Sequence, residues 1–201
     1  MSGKYMAYVG SYSYTGKAKG ITVFDVDVEN GMFKERCEIE VDNSSYVIAS
    51  SDGKTLYSIA DEGVVSFRIL PNGSLARLNS APIRGMRGCH LCTDEEDKYV
   101  FVSGYHDGKT TVLSLNPDGS VGKIVDGVFD RGYGSVAERN FRPHVTCTRR
   151  MPDNRFVLSV DNGIDQVKIY RFNDKEQRLV QVDAIRCELE SAPRHFRYSK
   201  D

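Results

Sequence analysis

Three short stretches hold the side chains best suited to chemistry. FRPHV (141–145) contains His144, APRHF (192–196) contains Arg194 and His195, and the charged run GSVAERNFRPH (134–144) adds Glu138, Arg139 and Arg142. A histidine titrates near neutral pH and can accept a proton from an attacking water. An arginine presents a planar fork of donors that suits phosphate and carboxylate oxygens. His195 directly follows Arg194, and successive strand residues point to opposite faces, so the two are expected on different sides of their strand. Cys89-His90-Leu91-Cys92 has Cys-x-x-Cys spacing, but it lies in a strand-like stretch rather than at a helix start, and strand residues three apart diverge. No metal site is therefore expected there. Asp161 and Asp165 in VDNGIDQV (160–167) read as turn residues that accept backbone N–H groups. His90 and His106 read as structural or surface residues. No phosphate loop, zinc-protease helix or dinucleotide fingerprint is present, and no cofactor is expected.

Residues so far apart along the chain need a scaffold that gathers them, and an internal repeat supplies one. Four segments open with a short apolar strand: MAYVGSY (6–12), TLYSIAD (55–61), YVFVSGY (99–105) and RFVLSVD (155–161). A second strand follows each: GITVFDVD (20–27), GVVSFRIL (63–70), TTVLSLN (110–116) and QVKIYRF (166–172). Then come the turns ENG, PNG, PDG and NDKEQ; Asn-Gly and Asp-Gly tolerate the positive φ of tight hairpins. A third strand and a closing fourth (45–54, 89–98, 144–155 and 195–201) complete each unit. Alternation of period two runs throughout, without sustained helical periodicity.

A four-stranded antiparallel unit recurring about every 45–55 residues predicts an all-β chain folded as a β-propeller. A β-sandwich of many short strands is the alternative. The third unit carries an insertion, 128–143. The chain reads as a single domain over 1–201, and its last stretch, SAPRHFRYSKD, matches segments that elsewhere lead into a further unit. The repeat therefore predicts about four blades of a larger ring, with a fifth unit to follow Asp201.

Composition excludes several classes of protein. A net charge of −1 gives no basic surface for nucleic acid or an anionic membrane. No stretch approaches the roughly 18 apolar residues of a membrane helix. The start, MSGKYMAYVGSY, lacks the pattern of a secretory signal, and five cysteines without a disulfide-scaffold density suggest a reduced, cytoplasmic protein.

YVGSY (8–12), NSSYVIASSDGKTLYSI (43–59), GCHL (88–91) with YVFVSGY, FRPHV, VDNGIDQVKIYRF (160–172) and APRHF occur in the order found in the lactonase family of seven-bladed propellers. The chain resembles the first four to five blades of that family, which includes propeller-type 6-phosphogluconolactonases and carboxymuconate lactonising enzymes. The resemblance implies a lactone-acting enzyme, first a hydrolase of a sugar lactone such as 6-phosphogluconolactone, feeding the pentose phosphate route. A muconate-type cycloisomerase and a non-catalytic interaction scaffold remain alternatives. It further implies His144 as base and Arg194 as the group facing substrate charge, with Arg139 and His195 as substrate-binding candidates. The family commonly carries a second His two residues after the first, where this chain has Thr146; Ala192 likewise replaces a usual Gly. The family's acid/base Glu and a further Arg would fall after Asp201. The implied partner is a small anionic sugar lactone or carboxylate. An incomplete ring would also expose blade edges, so self-association of this chain is expected.

Overall fold

The computed structural model describes residues 5–134 and 142–199, which form fifteen strands and no helix. Arg139 and Glu138 lie outside the described residues. The strands assemble into four antiparallel sheets that follow one another along the chain. The first holds β1 (Tyr5–Gly10), β2 (Gly20–Asp27) and β3 (Met32–Glu40). The second holds β4 (Val47–Ala49), β5 (Thr55–Ile59), β6 (Gly63–Ile69) and β7 (Leu75–Pro82). The third runs β8 (His90–Thr93), β9 (Tyr99–Gly104), β10 (Lys109–Leu115) and β11 (Val121–Phe129). The fourth runs β12 (Val145–Arg150), β13 (Val157–Asp161), β14 (Gln166–Asn173) and β15 (Arg178–Arg186).

The boundary between units differs from the one expected. The strand read as closing each repeat opens the next sheet instead, so β4 pairs with β5 and β8 with β9. The turn between them decides this. Ser50 N donates to Thr55 O at 2.8 Å and Gly53 N to Ser50 O at 3.0 Å, and so short a connection can only return the chain as an antiparallel neighbour. Asp94–Tyr99 and Met151–Phe156 repeat the same bond at the same place.

Strand β8 contacts both β4 and β12 across sheets, which makes the three the inner strands of a fan, with β7, β11 and β15 at the opposite edges of their sheets. Every sheet has a β-bulge in its outermost pairing, at Val23/Phe24, Ser66/Phe67, Val112/Leu113 and Ile169/Tyr170. A bulge bends its strand and increases local twist, so four equivalent bulges give four sheets the same twisted blade shape.

Hydrophobic burial between faces holds the blades together. Ile21 and Val41 pack with Leu56, Val65 and Phe67 between the first two sheets. Tyr57, Ile59 and Val64 meet Leu91, Val100 and Val102 between the second and third. Tyr99, Phe101 and Val112 meet Val157, Tyr170, Phe172 and Leu179 between the third and fourth. Because neighbours cover both faces of the middle blades, every residue of β5 and β9 is buried. Close approach is secured by glycine: a Cβ on Gly63 would stand 2.1 Å from the Ala81 carbonyl oxygen, and one on Gly20 2.2 Å from that of Val41.

Not all of the buried contact is apolar. The hydroxyls of Thr110, Thr148 and Ser159 form a closed triangle with edges of 3.0–3.3 Å, and Ser103 donates to Thr148 at 3.0 Å. All four residues are fully buried between the third and fourth sheets.

Candidate functional site

In the second, third and fourth sheets the inner strand starts, and the next strand ends, at one end of the fan, where β1 of the three-stranded first sheet also ends. The segments before β4, β8 and β12 and the loops after β1, β9 and β13 therefore converge there. They enclose a cavity of about 520 Å³ lined by Tyr12, Tyr46, Arg87, Tyr105, Thr146, Arg194 and His195, among others. This volume lies in the range of small-molecule sites. Ser45, Cys89 and Thr146 occupy the same repeat position, five residues before the Ser50, Asp94 and Met151 amides of the conserved turn bond, and all three face the cavity.

Arg194 reaches the cavity through a well-anchored segment. Asp165, itself at φ 52, accepts the Glu190 and Ala192 amides, each at 2.8 Å. Thr146 Oγ1 donates to the Arg194 carbonyl at 2.8 Å. The Arg194 guanidinium makes no hydrogen bond or ion pair among the described residues and is exposed to the cavity.

Arg194 and His195 both line this cavity, contrary to the expectation that they face opposite sides. Residues 191–199 have no ladder partner among the described residues, so the alternation imposed by pleating does not govern them. The His195 ring stands 6.0 Å from that of His90, which packs at a tilt against Tyr46 with ring centres 4.7 Å apart. Partial burial first, and then the charges of Arg194, Arg149 and Arg197, push the His195 imidazolium down from its usual range.

His144 stands one layer back. It is 5% exposed and does not line the cavity. Its Nδ1 meets the Tyr105 carbonyl oxygen at 2.6 Å, which makes Nδ1 the donor, and its ring stacks on Tyr105 at 4.3 Å. Its main-chain N–H donates to Asp161 Oδ1 at 2.8 Å, and its carbonyl accepts from Asn162 at 3.0 Å. Tyr105 and Asn162 are themselves wall residues, so His144 supports the wall from behind. The position that does face the cavity is Thr146, two residues on.

Behind His144 lies a buried carboxyl pair. Asp161 accepts from His144 and Gly163, and Asp130 accepts from the Tyr170 hydroxyl at 2.7 Å. Asp130 Oδ2 and Asp161 Oδ2 find no donor among the described residues, yet the two carboxyls interact with each other. Two buried carboxylates in contact require a proton between them. Burial raises both, and for Asp130 burial and the neighbouring Asp161 outweigh the opposing Tyr170 hydrogen bond and Lys168 charge, pushing it up to about 7. The folded chain thus holds a proton that the unfolded chain, with an ordinary carboxylate near 4, releases. Stability from this group is complete below about pH 4 and lost as pH rises through about 7. Asp130→Asn supplies the N–H permanently. Thermal melts between pH 4 and 8 should therefore show a flatter profile for the variant, with its advantage over the parent largest at pH 8; parallel profiles would rule out the shared proton.

Cys89 lines the cavity, whereas Cys92 lines a separate depression with Arg149 and Tyr198, so the two thiols do not converge. Burial pushes the Cys89 thiol up to about 12, and it is a poor nucleophile at neutral pH. Among the described residues no group of His, Cys, Asp or Glu is placed to hold a metal, and no helix is long and apolar enough to cross a membrane. His106, read as structural or surface, also lines the cavity. Arg87, Tyr12 and Tyr105 were not singled out by sequence.

Comparison with known proteins places this geometry. The family described as Lactonase, 7-bladed beta-propeller matches residues 6–201. A 6-phosphogluconolactonase of Bacillus subtilis (strain 168) is 31% identical over 201 residues, covering 97% of this chain and 56% of that protein. A Bacteroides fragilis NCTC 9343 crystal structure, provisionally named a 6-phosphogluconolactonase, superposes with a TM-score of 0.87 at 30% identity, covering 96% of this chain and 58% of the other. The structure of a periplasmic gluconolactonase from Pseudomonas aeruginosa shares the fold with a TM-score of 0.90 at 24% identity, covering 98% and 59%. The chain thus spans less than two thirds of the length of these relatives. Four twisted blades, a cavity at their hub and a match over nearly every residue establish that the chain belongs to the lactonase family of seven-bladed β-propellers.

Proposed function

We propose that the protein hydrolyses a sugar lactone, with 6-phosphogluconolactone as the leading substrate. The observation that carries this reading is the hub cavity in which Arg194, free of ion pairs among the described residues, stands beside His195. Opening a lactone needs a water made nucleophilic by a base and positive charge for the oxyanion that develops on the carbonyl. Arg194 supplies the charge. His195, whose imidazolium is disfavoured by partial burial and by neighbouring guanidiniums, is neutral at physiological pH and accepts the proton. His144 acts through Tyr105 and Asn162 as a positioning residue. Arg139, on the inserted segment, is retained as a second anion clamp. Water is the only co-reactant this chemistry requires. The five cysteines are all free, in keeping with a cytoplasmic setting.

The test is acid release from 6-phosphoglucono-1,5-lactone, followed against its spontaneous hydrolysis. Acceleration proportional to protein concentration is expected. Turnover of a muconolactone alone would instead favour the cycloisomerase, and no turnover of either would favour a non-catalytic binding role.

A further inference from the structure

Arg87 precedes β8 and faces the same cavity as Arg194, but from the junction of the second and third sheets. A chain of contacts fixes it. Its Nη1 donates to Asp61 Oδ1 at 2.9 Å, and its guanidinium lies 4.9 Å from the centre of the Tyr12 ring. Asp61 is held by Asn43, whose Nδ2 reaches both carboxylate oxygens at 2.9 and 3.0 Å. Asn43, buried and at φ 52, accepts in turn from the Ser13 and Tyr14 amides at 2.9 and 3.0 Å. A long side chain with considerable rotamer entropy is thus immobilised before any ligand arrives.

Asp61 does not depend on Arg87 for partners, since Asn43 already donates to both of its oxygens. The Arg87 fork, for its part, has one hydrogen bond among the described residues and keeps its other N–H donors available. Among the described residues the cavity lining includes two guanidiniums and no carboxylate, the carboxylate of Asp61 pairing with Arg87 from outside it. A lactone ring is uncharged, and one cation at its carbonyl serves the chemistry. Arg87 is ion-paired with Asp61, so it brings directed N–H donors more than net charge. Those open donors, away from the reacting carbonyl, match the several acceptor oxygens of a phosphomonoester elsewhere on the substrate.

We propose that Arg87 is the phosphate anchor of this cavity and selects phosphorylated sugar acids and lactones over unphosphorylated ones. This rests on the lactone reading above and adds the residue that sets substrate class. The stable probes are 6-phosphogluconate and gluconate, titrated calorimetrically into the protein. The parent should bind 6-phosphogluconate about 10- to 100-fold more tightly, the size of one charge-assisted contact. Arg87→Ala should abolish that preference while leaving gluconate affinity within about threefold, and Arg87→Lys, which keeps the charge but not the fork, should fall between. Equal affinity of the parent for both probes, or an undiminished preference in Arg87→Ala, would overturn the proposal. The two readings separate cleanly. A protein with this Arg87-dependent preference that hydrolyses no lactone retains the anchor and loses the hydrolase. One that hydrolyses phosphorylated and unphosphorylated lactones equally well, with and without Arg87, loses the anchor alone.

Discussion

Replacing Arg194 by alanine is expected to lower kcat for lactone hydrolysis by about 100- to 1,000-fold, the usual cost of removing one group that faces a developing oxyanion. The split between kinetic constants identifies the role. If Arg194 stabilises charge that exists only in the transition state, kcat and kcat/KM fall together; if it holds the ground-state substrate, KM rises and kcat survives. The scaffold makes the result interpretable, because Thr146 and Asp165 hold the main chain around Arg194 rather than its guanidinium. Truncating the side chain therefore leaves the segment in place. Arg194→Lys should recover part of the loss, limited by the missing fork. Activity within threefold of the parent in Arg194→Ala would remove this residue from the mechanism.

The second large effect concerns stability. Phe101 is fully buried on β9 and meets Phe172 edge to face, with ring centres 5.7 Å apart, in the interface between the third and fourth sheets. Phe101→Ala removes that ring from an interface closed on both sides, and such truncations cost about 3–5 kcal/mol. Since domains of this kind are stable by only about 5–15 kcal/mol, the loss is a large share of the total. Denaturant unfolding should show the midpoint shifted down at constant slope. Phe101→Leu, closer in volume, should retain most of the stability. A loss below about 1 kcal/mol for the alanine variant would mean that the two sheets are not packed through this ring.

The architecture was legible in the sequence because both of its signals are local. Period-two alternation and Asn-Gly or Asp-Gly turns act over a few residues, and they recur four times at similar spacing. The phase of the repeat was misread because a strand's partner depends on connection length. The 50–55 turn binds β4 to β5, whereas 41–46 crosses from one sheet to the next. Arg194 was visible as a charged residue in a distinctive pentapeptide. His195 was placed on the wrong side because its segment was given a pleat that needs a ladder partner. His144 could not be assigned correctly from sequence, since only the stacking on Tyr105 and the bond to its carbonyl show that the ring turns away from the cavity. A signal for the wall was nonetheless present. Aligning the repeats on their polar turns puts Ser45, Cys89 and Thr146 at one position, and all three face the cavity. Arg87 had no such signal, because its placement depends on Asn43 and Asp61, which lie 44 and 26 positions earlier.

The hydroxyl triangle of Thr110, Thr148 and Ser159 has a combinatorial consequence. Each hydroxyl has one proton to give, so the ring can be satisfied clockwise or anticlockwise, and the Ser103 proton entering at Thr148 forbids neither sense. The interior here resembles ice: the oxygens are fixed while the hydrogens keep a twofold choice, and the local dipole reverses whenever all three rotate in concert. Evolution cannot dismantle such a ring one member at a time without stranding a lone donor in a dry interior, so these positions are free to change only as a set.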